Sequence, residues 1–278
     1  MDDIQHLTVR ALSIDLSKGF SRHWHGGDAY RSMYYNALSM SFPIGEQMFI
    51  DSVRNGMALL PEKPEYAALR ETVKQFVGQE ATHRQIHSLY NDHLKKQGLV
   101  NQWEQHTQRR FEFAKSRGFP PLAWLGLTAA FEHCTAVFGD GVLRYPSWLD
   151  PAEPAMRMLW RWHCAEETEH KAVAFDVFQA LGGTYRQRIG WYAYSMVVFT
   201  LECTLQTISN LRRDGTLYKP STWWSAARCL FGRDGAVWRC TGPLLSYLRR
   251  DFHPNQHQNH ALAAQWLEDN QEHFRVVR

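Results

Sequence analysis

Two Glu-x-x-His motifs sit in the middle of otherwise apolar helical stripes, and few folds can accommodate that. Alternating steps of four and three residues place Leu69, Val73, Phe76, Glu80, His83, His87, Tyr90 and Leu94 on one helix face. The same steps from Met156 collect Trp160, His163, Glu167, His170, Ala174, Val177 and Leu181. In each stripe apolar ends enclose a carboxylate and two imidazoles. A buried carboxylate without a partner is costly and tends to take up a proton instead. Two separate helices with the same anomaly call for a shared compensation, and a bound cation supplies one.

The spacing strengthens this reading. One Glu-x-x-His is a weak signal, because 15 Glu and 14 His in 278 residues yield about one match by chance, the usual risk of a short motif. Here Glu80 and Glu167 lie 87 residues apart, as do His83 and His170. Glu46 and Glu132 lie 86 apart, each on the apolar face of its own predicted helix. The chain therefore repeats a helix pair that donates one Glu plus one Glu-x-x-His. A four-helix bundle builds core metal sites from that donor set.

The candidate ligands are Glu46, Glu80, His83, Glu132, Glu167 and His170, with His163 as a seventh because it lies one turn before Glu167 on the same face. His87 is a further candidate; its alternative role is to hydrogen-bond a ligand. Glu166 and Glu169 flank the stripe and are expected on a solvated or salt-bridged face. His93 and His133 are also off the stripes. Oxygen and nitrogen donors in this number suit two metal ions, iron first, with manganese or zinc as alternatives. Iron would activate oxygen to oxidise a substrate; the redox-inert route is a hydroxide delivered by Lewis-acidic metals.

The rest of the chain reads as all-α. Helices are predicted over about 43–60, 64–97, 100–115, 121–143, 154–181 and 186–211, followed by shorter Trp-rich helices; residues 7–16 suggest a short strand or an extended arm. This divides the chain into an N-terminal arm (1–40), a metal-binding bundle (41–183) and a C-terminal helical extension packed on it (184–278). No βαβ alternation, GxGxxG or GxxxxGK[ST] occurs. A net charge of +3 makes no case for nucleic acid as a partner. Five cysteines without a CxxC, and a start lacking a signal peptide, point to the cytoplasm. The apolar helix and the Trp-rich tail either pack as a lid and dimer surface or sit at a membrane interface. A homodimer is expected, as are a small organic substrate and an electron donor.

Three segments carry a resemblance: Phe42-Pro43-Ile44-Gly45-Glu46, Gly78-Gln79-Glu80-Ala81-Thr82-His83 and Glu166-Glu167-Thr168-Glu169-His170-Lys171. Over residues 10–255 the sequence resembles the bacterial family labelled predicted metal-dependent hydrolase, which implies a ferritin-like fold. The spacing His163-x-x-x-Glu167-x-x-His170 is also similar to that of the di-iron arylamine N-oxygenases. The resemblance implies Glu46, Glu80, His83, Glu132, His163, Glu167 and His170 as metal ligands. Three functions follow as expectations: a di-iron oxidase or oxygenase, a metal-dependent hydrolase, or a non-enzymatic iron-binding protein.

Overall fold

The Asp28 carboxylate accepts the backbone N–H of Arg31, and helix α1 (Ala29–Leu59) begins there. This is a computed structural model, and it describes residues 7–277; residues 1–6 of the expected arm and residue 278 lie outside the described residues. The sequence suggested a start at Pro43, a residue that favours the first helical turn. Instead Pro43 is interior, and α1 runs across the boundary drawn at residue 40. A helix-interior proline lacks the N–H that would bond the carbonyl four residues back. Ser39 owns that carbonyl, and Asn91 Nδ2 donates to it at 2.9 Å. Asn101 Nδ2 serves the next one, on Met40, at 2.7 Å. Tertiary contacts thus repair the defect that the sequence showed as a break.

Helix α2 (Ala67–Lys96) carries the first Glu-x-x-His and ends at Gly98, whose φ of +84° suits glycine. Helices α3 (Gln102–Ser116) and α4 (Pro121–Arg144) follow as predicted. The single helix expected from 154 to 181 is instead two, α5 (Pro154–His170) and α6 (Val173–Ala180). The interruption coincides with Lys171, whose ammonium leaves the bundle axis to donate to the His257 carbonyl (2.7 Å) and to Asn259 Oδ1 (2.5 Å). Helix α7 (Tyr185–Asp214) opens with a Thr184/Gln187 capping box. Three shorter helices complete the chain: α8 (Pro220–Phe231), α9 (Ala236–Ser246) and α10 (His260–Asp269). A short antiparallel pair joins the two ends, β1 (Arg10–Leu12) to β2 (Phe274–Val276), with Ala11 opposite Arg275. Among the described residues the fold is therefore all-α apart from this ribbon and one isolated bridge between His25 and Ala152. No helix among the described residues is long and apolar enough to cross a membrane.

The two helix pairs meet as the repeat required. Helix α1 packs on α2 and α4, α4 packs on α5, and α2 touches both α5 and α6. Two apolar cores form along the bundle. One holds Tyr90, Leu94, Met156 and Trp160; the other holds Leu69, Val73, Phe76, Ala174 and Val177. These are the opposite ends of the two stripes. The polar middles, with Glu80, His83, His87, His163, Glu167 and His170, are buried between them.

Candidate metal centre

Glu46 comes from α1, Glu80, His83 and His87 from α2, Glu132 from α4, and His163, Glu167 and His170 from α5. All are buried. Their donor atoms converge in overlapping groups that could each hold an ion: Glu80–Glu132–His170, Glu46–Glu80–His83, His83–His163–Glu167 and Glu46–His87–His163. Within each group the atoms lie within 4.8 Å of one another. Glu167 Oε1 is the hub, 3.2 Å from His163 Nε2, 3.5 Å from His170 Nε2 and 3.7 Å from His83 Nδ1. Glu80 Oε1 lies 3.0 Å, and Glu132 Oε2 3.4 Å, from the same His170 nitrogen. All seven residues singled out from the sequence are thus brought to one place, with His87 beside them.

The hydrogen bonds around this cluster determine which atom of each imidazole faces inward. With Glu166 held as a carboxylate by Arg10 against the burial that raises its pKa, His83 Nε2–H donates to Glu166 Oε2 at 3.0 Å, which leaves Nδ1 with its lone pair. The Gln79 amide donates to Glu169 and to the Thr8 carbonyl, so its oxygen accepts from His170 Nδ1–H at 3.0 Å and Nε2 is the nitrogen turned toward the carboxylates. The third imidazole is set by a longer chain. Asn91 Nδ2 is spent on the Ser39 carbonyl, so Asn91 Oδ1 accepts the Ser39 hydroxyl at 2.9 Å. Ser39 Oγ must then accept from His87 Nδ1–H (2.9 Å), and His87 Nε2 accepts from His163 Nδ1–H (3.1 Å). His163 Nε2 is left bare. A histidine that binds a metal through one nitrogen and is oriented through the other shows this arrangement. Both nitrogens of His87 are engaged, which makes it the residue that aims His163.

The inner atoms lack hydrogen bonds. Both oxygens of Glu46, Glu80 and Glu132, together with His83 Nδ1, His163 Nε2 and His170 Nε2, are buried without a hydrogen-bond partner. Buried polar atoms are otherwise nearly always satisfied. Orphaned atoms that coincide with six of the seven candidate ligands fit bound cations; the seventh, Glu167, takes the Thr135 hydroxyl on its other oxygen. Burial pushes the Glu46 and Glu132 carboxyls well above the ordinary range, raises Glu80, and drives His83 well below. Burial also opposes charge on Glu167 and His170. Their mutual attraction, with His163 acting on Glu167 and Glu132 on His170, overcomes it: Glu167 lies well below its usual value and His170 well above. The protein alone can sustain little more than one ion pair here, and the remaining acids need external positive charge.

Sequence reasoning missed the roles of Glu166 and Gln79. Glu166 was expected on a salt-bridged or solvated face. It does pair with Arg10 Nη1 at 3.1 Å, but it is fully buried and its other oxygen orients His83. The signal was available: Gln79 and Glu166 are also 87 residues apart, each immediately before a ligand Glu. Each orients the Glu-x-x-His histidine of the opposite helix pair. Arg10 was invisible, because only the pairing of β1 with β2 and its contact with α2 bring it there.

A cavity of about 440 Å³ reaches the cluster at Glu46 and Thr135. Its walls come from α1, α3, α4 and α7 and are mainly aromatic: Phe42, Phe49, Phe111, Trp124, Phe131 and Phe199 among them. Exposed Phe113, Tyr194 and Arg109 mark its outer end. Trp124 and Phe131 line it, whereas Trp160 borders a smaller cavity of about 40 Å³ beside His163. The volume of the larger cavity, about 440 Å³, falls within the range of small-molecule sites.

A family model described as predicted metal-dependent hydrolase matches residues 8–258. No curated protein and no solved structure matches the chain.

Proposed function

The chain belongs to the predicted metal-dependent hydrolase family, and from that premise and the donor geometry we propose that it is a dinuclear metal enzyme that oxidises a small apolar substrate with oxygen. The observation that carries this is the junction of orphaned carboxylate and imidazole atoms with an aromatic-walled cavity. Glu80, Glu132 and His170 would hold one ion, and His83, His163 and Glu167 the other, with Glu46 grouped beside Glu80 and His83. Two iron ions held there would supply oxygen activation and electron transfer. The protein's own part is to turn three imidazole nitrogens inward, to limit water with largely half-buried aromatic walls, and to hold the substrate against Glu46 and Thr135. Thr135 donates its hydroxyl proton to Glu167 and so fixes that carboxylate's rotation.

Hydrolysis is the second reading, favoured by the family's description. It asks for groups that bind a polar scissile bond and its developing charge. The cavity lining is mainly apolar; its polar members are Ser41, Glu46 and Thr135 on the donor-bearing helices and Thr107, Arg109 and Arg110 on α3, which supplies no donor, and this sparse polarity favours the oxidation reading. The test is anaerobic loading with iron(II), followed by oxygen exposure while absorbance and oxygen uptake are recorded. Oxygen consumption near stoichiometric with bound iron pairs is expected. Iron-loaded protein that consumes no oxygen with any reductant, yet hydrolyses esters or phosphoesters when loaded with zinc or manganese, overturns the oxidase reading in favour of the hydrolase.

A further inference from the structure

Helix α8 is amphipathic with the usual sense reversed. Its inner face, against α1, carries small residues, the buried Thr222 and Ala226 and the half-buried Ser225, whose hydroxyl donates to Asp28. Its outer face carries the bulk: Trp224 is 69 % exposed and Phe231 55 %. Helix α9 repeats the pattern, with Trp238 63 % and Leu245 55 % exposed, one helical heptad apart. The two outer faces are continuous, since the Phe231 and Trp238 rings meet edge-on at 6.0 Å and Trp238 Nε1 donates to the Phe231 carbonyl across the Gly232–Gly235 turn. A soluble helix normally turns such side chains inward. Exposed contiguous apolar surface of this kind marks an interaction site.

The charge around the patch indicates what covers it. Residues 212–250 contain eight Lys and Arg against two Asp, a net charge of +6, where the whole chain carries +3. Both acids are already engaged, Asp214 by Arg22 and His23 and Asp234 by Arg239. Among the described residues Lys219, Arg228 and Arg233 make no ion pair, and all three are exposed. Arg228 stands between Trp224 and Phe231 on the same helical face. Tryptophan flanked by unpaired cations matches the boundary of an anionic bilayer, where indole rings settle at headgroup level and basic side chains meet acidic lipids. A second copy of this chain does not fit, because face-to-face docking would oppose these cations to their own duplicates with no free acid in the patch.

We propose that α8 and α9 form an interfacial anchor that seats the protein on an anionic lipid surface, with Trp224, Phe231, Trp238 and Leu245 entering the headgroup boundary. This is independent of the chemistry at the metal centre. The test uses the full-length protein with vesicles of phosphatidylcholine alone or with phosphatidylglycerol, read by flotation and by tryptophan fluorescence. Binding to the anionic vesicles with a blue shift is expected. Raising salt from about 0.1 M to about 1 M, which shortens the screening length from ~10 to ~3 Å, should weaken it. The double substitution Trp224→Asp with Trp238→Asp should lower partitioning at least about tenfold while helicity and metal content stay unchanged. Arg228→Glu with Arg233→Glu, at two exposed residues that make no ion pair among the described residues, should lower it comparably and serves if the first variant misfolds. Absence of wild-type binding overturns the proposal. So does equal binding by both variants, or a wild-type dimer in solution that the tryptophan substitutions dissociate.

Discussion

Replacing Glu166 by Gln alters almost no volume but sets a conflict that the structure makes calculable. Glu166 accepts at both ends, from Arg10 Nη1 (3.1 Å) and from His83 Nε2–H (3.0 Å). A glutamine offers one acceptor and one donor. If its oxygen stays on Arg10, its N–H₂ faces His83 Nε2, which must then accept, and the ring proton moves to Nδ1. That proton would point at Glu167 Oε1, 3.7 Å away, where the lone pair must be for a metal to bind. If the amide turns over, two donors collide at Arg10. Loss of such an orienting partner typically costs 10–100-fold in metal affinity, or about 1.4–2.8 kcal/mol. Arg10 keeps its two contacts to Glu169, at 2.8 and 3.2 Å, so the metal-free fold should survive. Anaerobic titration calorimetry with iron(II) or manganese(II), with elemental analysis, measures the effect. Weakening of one of two ions is expected; unchanged affinity for both would refute the assignment of His83 Nδ1 as a donor.

The His87 relay should behave alike on the other side: His87→Leu leaves His163 Nδ1 unpaired and should weaken metal binding about 10–100-fold, while Ser39→Ala, which loosens only the far end, should cost less in the same titration. Leu127→Trp fills part of the cavity without touching a donor; it should abolish binding of apolar ligands, followed by fluorescence quenching, while metal content stays at the wild-type level. Acid stability offers an independent check. Burial and the neighbouring His257 hold His133 at about 3, far below an ordinary histidine. The unfolded chain therefore binds a proton that the folded chain refuses between about pH 6.5 and 3, and stability falls with decreasing pH by up to about 1.4 kcal/mol per unit. His133→Gln retains a donor for the Pro243 carbonyl, which His133 Nε2 meets at 3.2 Å, and should flatten that slope in denaturant melts taken from pH 7 to pH 5. A slope identical to wild type would show that His133 titrates normally in the fold.

Much of the centre was legible in the linear sequence because helical periodicity turns spacing into direction. Glu80, His83, Glu167 and His170 had to share faces with Phe76, Tyr90, Trp160 and Val177, and the 87-residue repeat paired the helices before any contact was known. That same logic could not reach residues whose role depends on a partner far along the chain. Pro43 looked like a helix start because its missing N–H is harmless there; only Asn91, docked from α2, makes it tolerable inside α1. Glu166 looked like a surface acid because its charge has to be met by Arg10, delivered by a ribbon between the two ends of the chain.

Local periodicity therefore determined the helical faces, the inward donors and the all-α class, though not where α1 begins or that α5 and α6 part. Tertiary packing decided which nitrogen of each imidazole turns inward, where the aromatic cavity meets the donors, and that α8 and α9 turn their tryptophans outward. The division has a physical cause. The direction of a side chain follows from backbone geometry a few residues away, whereas a proton's position on a buried ring follows from the last free acceptor in a hydrogen-bond chain, and those chains cross between helices.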